Sequence, residues 1–225
     1  SSLNRFVTYS DWDEQQLEDR YLKKVRHEFN RERASLVIDD SLSKKTGKHI
    51  AEVQYHKDHS SNGYIFGHQI VTALVKVKEK VFPLFPKLYS KNTQSKIEFA
   101  KDLINLAVDK LPLREVIMDS WYMATDIIKL CLKKHLDVIG CIKSNRKVSF
   151  AIGEWTKLNT KFKSLNKKDF QTIIIDDNTY RIYEQIVRIK HIGFVKLLIS
   201  QEWMIADKKW SRPFYLISTN TTKSA

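Results

Sequence analysis

No stretch of the chain approaches the roughly 20 consecutive apolar residues that a membrane-crossing helix needs, and no charged segment followed by an apolar run opens it. Neither a helical membrane protein nor a signal peptide is expected, and a cytoplasmic location is the expectation. Cysteine is scarce. Cys131 and Cys141 belong to no CxxC pair or Cys/His cluster, which argues against structural zinc and leaves two buried free thiols as the expectation. Internal repeats and low-complexity segments are absent as well. Acidic residues are under-represented: 26 Asp and Glu stand against 39 Lys and Arg, a formal charge of +13. Such an excess repels itself unless a polyanion is the partner, and nucleic acid is the natural candidate. A generally lysine-rich proteome gives the same sign, so charge alone does not decide.

With 42% hydrophobic residues over 225 positions, the chain can bury one sizeable core, with or without a smaller lobe. Residues 1–32 are charged and helix-favouring, with Ser10 or Asp11 placed to cap and Glu14 as a capping-box partner. The run ASLVIDDS reads as a buried strand that arrives at a sheet edge in two carboxylates, followed by the turn SLSKKTGKH. HIAEVQYH and GYIFGHQIVTALVKV add β-branched and aromatic strands, which predicts a three-stranded antiparallel meander. Pro83 and Pro86 interrupt it. Ile97, Ala100, Ile104, Ala107 and Leu111 recur at three- and four-residue spacing and predict an amphipathic helix over 95–111 that Pro112 ends. LREVIMDS, a helix over 123–135 and LDVIGCIK then form strand, helix and strand, which implies a parallel crossover. Beyond Arg146 the text turns lysine-rich, with short strands at FQTIIID, TYRIYEQIVRI, FVKLLISQEW and PFYLIST, and reads as a β-rich insertion. The expected fold is α/β, a mixed sheet flanked by helices. Its expected divisions are a leader helix at 1–32, a core at 33–146, an insertion at 147–211 and a returning core segment at 212–225.

Two strands of that sheet end in aspartate, Asp40 and Asp119. Neighbouring strands lie about 4.8 Å apart, so carboxylates at matching ends can converge on a shared divalent cation, and oxygen donors suit Mg²⁺ or Mn²⁺. Each aspartate taken alone is better read as a turn opener. Strand alternation points Asp39 to the face opposite Asp40, which makes it a supporting or turn residue rather than a ligand.

The blocks LVIDDSLSKKTGKHIAEVQYHKDHSSNGYIFGHQIVTALV, VIMDSWYMATDIIKLCLKKHLDVIGCIKSNRK and FYLISTN resemble DDE transposases of bacterial and archaeal insertion sequences. They are similar to the cut-and-paste branch that carries a β-strand insertion. The resemblance implies an RNase H-like core in which Asp40 and Asp119 are catalytic and hold two Mg²⁺ (or Mn²⁺) ions. It also implies hydrolysis at transposon ends, transfer of a 3′-hydroxyl to target DNA, a homodimer on paired ends, and association with the nucleoid when DNA is bound. In that family the third carboxylate is a glutamate on a helix downstream of the FYLIST strand, and a DNA-end-binding region precedes the core. The text ends at Ala225, so a segment of a longer protein, inactive alone, is the expectation; Glu202 has the wrong neighbours for the missing role. The alternatives are an RNase H-like nuclease without strand transfer and a non-catalytic DNA-binding remnant.

Lys44, Lys45 and Lys48 follow Asp40 and could grip phosphates or simply form a solvated turn, Lys45 matching a lysine of the family. Lys143, Arg146 and Lys147 leave the third core strand at the end that bears Asp119 and are the preferred DNA track. His49, His56, His59 and His68 lack a ligand spacing and read as hydrogen-bonded structural residues; His59 and His68 match family positions and are expected to support the ligands. Trp121 is a candidate DNA contact, although an aromatic at a strand–helix junction is more often core.

Overall fold

The computed structural model describes residues 2–11, 13–47, 49–58, 63–92 and 94–222. The amino-terminal text folds as two helices, α1 (Ser2–Tyr9) and α2 (Glu14–His27), rather than one. Asp13 caps α2, its carboxylate accepting the Gln16 N–H at 2.8 Å. Neither Ser10 nor Asp11 does so, because Glu14 is itself the first helical residue and the cap must directly precede it.

Apolar alternation then builds β1 (Ala34–Lys44), β2 (Gln54–Asp58) and β3 (Gly63–Val77), with two short edge pieces, β4 (Lys80–Pro83) and β5 (Lys87–Tyr89). Strand β2 begins later than its β-branched text suggests, since Glu52 has a φ of 58°, which an extended strand cannot contain. Helix α3 (Lys96–Lys110) starts with a capping box between Ser95 and Glu98, and the Leu111 cap before Pro112 closes it. Next come β6 (Leu113–Met118), α4 (Thr125–Lys133) and β7 (Asp137–Cys141). The remainder is β8 (Lys147–Ala151), β9 (Glu154–Lys157), α5 (Leu158–Ser164), β10 (Gln171–Ile175), β11 (Asn178–Ile189), β12 (Gly193–Met204), β13 (Lys209–Trp210) and β14 (Phe214–Ser218).

Among the described residues these strands join in one sheet of order β2-β3-β1-β6-β7-β14-β12-β11-β8-β9. The pairs β2/β3 and β3/β1 are antiparallel, whereas β1/β6 and β6/β7 are parallel. Strand β3 stands between β1 and β2, so the expected meander of consecutively paired strands does not form: the chain crosses from β1 to the far side of β3 before β3 itself is laid down. Two parallel strands then follow β1 in the sheet, and α4 supplies the crossover from β6 to β7. After β7 the chain runs through β8 to β13 and returns as β14, antiparallel to β7. The expected β-rich stretch therefore widens the same sheet. The hairpin β8–β9 and α5 are additions that its strand pattern did not reveal.

Leu36 and Ile38 of β1, Val71, Ala73 and Val75 of β3, Val116 of β6 and Val138 of β7 are buried, as are Leu103 and Ile104 of α3 and Ile127 and Ile128 of α4. Each large aliphatic side chain so buried contributes roughly 1.5–3 kcal/mol. This core fixes the levels of β1 and β6 relative to one another. Cys131 is buried and Cys141 half-buried, both as free thiols.

Candidate active site where β6 leaves β1

In the parallel register Ile38 faces Met118, so Asp39 and Asp119 are the next residues along the two strands. Here β6 stops while β1 continues to Lys44 against β3. The aspartates of β1 thus stand in mid-strand, at the point where β1 loses its parallel neighbour, and not at a strand terminus as its text suggests. The gap opens into a pocket of about 670 Å³ whose walls include Asp39, Asp40, Asp119, Gln69, Lys57, Lys96, Trp121 and Lys143.

Each carboxylate is held differently. Asp119 Oδ1 accepts the N–H groups of Trp121 at 2.9 Å and Tyr122 at 3.3 Å, closing the turn into α4. Asp39 Oδ1 accepts the N–H of Asp40 at 2.8 Å. Asp40 is the most engaged: Tyr122 Oη donates to its Oδ1 at 3.0 Å and Gln69 Nε2 to its Oδ2 at 2.5 Å. Lys96 Nζ lies 3.4 and 3.3 Å from the same two oxygens. Gln69 is hydrogen-bonded in turn to His56, a buried histidine of β2 whose Nε2 has no hydrogen-bond partner among the described residues.

Charge is concentrated here. Partial desolvation, followed by the charges of Asp119 and Asp40, pushes the Asp39 carboxyl above its ordinary range, against the lowering effect of the Asp40 N–H. Burial first, and then Asp40, raises the Tyr122 phenol, which stays protonated and donates. Burial, assisted by Lys91 and Lys96, lowers His56.

The expected residues divide into those the pocket gathers and those it does not. Asp40, Asp119, Trp121 and Lys143 line it. Asp39 does too, although it alternates with Asp40 along β1. Trp121 is half exposed, at 48%, with Lys96 Nζ at 4.5 Å and Lys143 Nζ at 5.8 Å from its ring centre, so it is not core. Arg146 lines a neighbouring cleft with Trp121 and Lys143 and donates to Thr125 Oγ1 at 3.3 Å. Lys44, Lys45 and Lys147 lie outside the pocket wall; Lys45 gives its backbone N–H to Phe66. His68 Nε2 donates to the Ala51 carbonyl at 2.8 Å and serves the β1–β2 connection rather than the carboxylates. Lys48 and His59 lie outside the described residues.

Lys96, Gln69 and Lys57 are site residues that sequence reasoning missed, whereas Tyr122, an aromatic of the same strand–helix junction as Trp121, is core as that placement suggests. Two had a signal. Gln69 is a polar residue in the buried register of Val71, Ala73 and Val75, and Lys96 is a cation at a helix amino terminus, where the helix dipole disfavours it unless an anion is near. Among the described residues no three His, Cys, Asp or Glu side chains form a cluster that could hold a metal ion.

Residues 1–83 match the family model described as DDE superfamily endonuclease. That match agrees with the resemblance read from the sequence: the stretch carrying β1, β3, Asp39 and Asp40 is similar to DDE superfamily endonucleases. No curated protein matches the chain. Among solved structures, the piggyBac transposase synaptic complex with hairpin DNA aligns at 14% identity and a TM-score of 0.46, over 85% of this chain and 34% of that one. Ciona intestinalis Endonuclease V, in complex with a 24mer DNA containing an inosine, aligns at 13% identity and 0.35, over 90% and 80%. The NurA nuclease from Sulfolobus solfataricus aligns at 8% identity and 0.35, over 96% and 79%. The chain spans about a third of the length of the piggyBac transposase chain. No helix among the described residues is long and apolar enough to cross a membrane.

Proposed function

We propose that this chain is the catalytic portion of a DDE transposase, which cleaves phosphodiester bonds at transposon ends and joins the freed 3′-hydroxyl to target DNA. The observation that carries the reading is the convergence of Asp40 and Asp119, with Asp39 beside them, in one pocket where two parallel strands part. The donor set fits hard divalent cations: the candidate ligands are carboxylate oxygens lining one pocket. Mg²⁺ or Mn²⁺ bound there, two ions in the complete enzyme, would activate the attacking water or 3′-hydroxyl and stabilise the leaving oxygen.

The chain's own residues do the rest. Asp40 and Asp119 hold the cations, with Asp39 supporting them at the same pocket. Tyr122 and Gln69 fix the Asp40 carboxylate from beneath and beside it. Lys57, Lys143 and Arg146 receive DNA phosphates around the pocket, with Lys44, Lys45 and Lys147 farther along the track, and the half-exposed Trp121 ring meets a base or sugar. We assign 1–32 as a leader, 33–146 as the core with both aspartates, 147–211 as an insertion and 212–225 as a return to the core. A homodimer on paired ends completes the proposal.

Plasmid nicking with Mn²⁺ or Mg²⁺, and joining of a duplex with a pre-cut 3′-hydroxyl end, test it. The expected result is slow, metal-dependent nicking and joining by this chain, slow because its described carboxylates form no three-ligand cluster, with both lost in Asp40→Asn and Asp119→Asn. Nicking without joining would make it a nuclease that lacks strand transfer. Nicking that survives Asp119→Asn or needs no metal would overturn the reading.

A further inference from the structure

A carboxylate offers about four lone-pair sites, two on each oxygen. At Asp40 they are all in use. Oδ1 takes the Tyr122 hydroxyl and Lys96 Nζ, and Oδ2 takes Gln69 Nε2 and the same Nζ. A divalent cation cannot reach Asp40 in this arrangement unless one donor withdraws.

The three donors are not equally able to leave. Tyr122 is fully buried, and its ring is locked in the core beneath the pocket. Gln69 sits in the buried register of β3 and is tied to His56 behind it. Lys96 makes the two longest contacts of the set, 3.3 and 3.4 Å, from a flexible four-carbon stem at the first turn of α3. Its ammonium is also the one donor that carries charge, so it occupies the place a metal would take both sterically and electrostatically. The site is built to keep it there: the Lys96 and Asp40 side chains are 14% and 16% exposed, and the Trp121 ring centre lies 4.5 Å from Nζ. A cation at a helix amino terminus is unfavourable by itself, so Asp40 is what holds it in that position.

We infer that Lys96 is a resident counter-ion of the carboxylate pocket, which masks Asp40 and must be displaced before a divalent metal ion can bind. This rests on the metal-binding reading of the pocket and adds a control on it. Lys96 then acts as a positioning residue, setting the metal concentration at which the site loads. Displaced from Asp40, its ammonium remains at the pocket wall beside Trp121.

The test is Mn²⁺ affinity of the whole chain, measured by calorimetry or by the loss of free Mn²⁺ signal in electron paramagnetic resonance, with no DNA present. Lys96→Gln and Lys96→Met should bind Mn²⁺ roughly tenfold more tightly than the parent, the scale of one coupled contact pair. Lys96→Arg, which keeps the charge, should stay near the parent. Lys57→Gln, which removes a charge from the same pocket wall without a carboxylate contact, should change affinity by less than about twofold. Circular dichroism confirms that each variant is folded. If Lys96→Gln binds no more tightly than the parent, or gains no more than Lys57→Gln, Lys96 is not a mask and the inference falls while the metal site stands. If neither the parent nor Lys96→Gln binds Mn²⁺, the metal site itself falls, and the inference with it.

Discussion

The Tyr122 hydroxyl donates to Asp40 Oδ1 at 3.0 Å across 82 positions of sequence, joining the turn after β6 to the middle of β1. The ring below it is completely buried, so the hydroxyl position is set by the core, and the carboxylate is aimed by something that cannot move. Tyr122→Phe keeps the shape and removes the donor. Loss of a hydrogen bond to a charged acceptor costs about 1.5–3 kcal/mol, which urea denaturation would register as a lower midpoint with an unchanged slope. A variant as stable as the parent would mean that Lys96 and Gln69 suffice to satisfy Asp40.

Gly140 of β7 lies against β6 just before Asp119. A Cβ there would stand 2.4 Å from the Met118 carbonyl oxygen and 2.6 Å from Met123 Sδ. The first contact is backbone and cannot swing away. Gly140→Ala is expected to destabilise by about 1–3 kcal/mol through overpacking and to displace Asp119, weakening Mn²⁺ binding alongside the drop in melting temperature. Unchanged melting would show that the β6–β7 spacing is softer than the register implies.

At the start of α3, the Ser95 N–H and hydroxyl both donate to Glu98 Oε2, at 2.9 and 2.8 Å, and hold the Glu98 carboxyl below its ordinary range. A depressed folded-state value contributes stability that is present above the unfolded carboxylate range and is lost as pH falls through the folded value. Glu98→Gln should therefore melt below the parent near neutral pH, with the gap closing in strong acid. A gap that stays constant with pH would contradict the carboxylate's role. Ser95→Ala, which removes the cap itself, should cost about 1 kcal/mol.

The charge of +13 and the lysines around the pocket predict DNA binding governed by counterion release. With about 6–10 phosphate contacts, affinity falls roughly 10³- to 10⁵-fold between about 50 and 200 mM salt. Fluorescence anisotropy on a short duplex would read this directly. Lys143→Gln should lower the salt slope by about one. A flat salt response would mean that the charge serves solubility alone.

The core architecture was legible because apolar alternation and three- and four-residue spacing are properties of neighbouring residues. Ser95, Pro112 and the β6–α4–β7 crossover follow from that kind of signal. The family match over 1–83 agrees with the block LVIDDSLSKKTGKH, whose wording was specific enough to name a class. What stayed hidden depends on where a strand stops relative to its neighbour. Alternation separates Asp39 from Asp40, and that both line one pocket follows from β6 stopping at Met118, which local sequence does not show. Lys96 and Gln69 were missed for a related reason: each meets Asp40 only through tertiary packing, 56 and 29 positions away. Helix α2 was displaced at its start because Ser10, Asp11 and Asp13 are all acceptable caps, and local sequence does not choose between them.

Whether this pocket takes a divalent metal is the question on which the account turns, and paramagnetic broadening of amide NMR signals by Mn²⁺ answers it with a location. Titration into the parent chain should broaden the amides of Asp39, Asp40, Asp119, Ser120 and Trp121 first, and Asp119→Asn should remove the effect at those positions. Broadening centred on another acidic surface, or none at these five amides at saturating Mn²⁺, would contradict it.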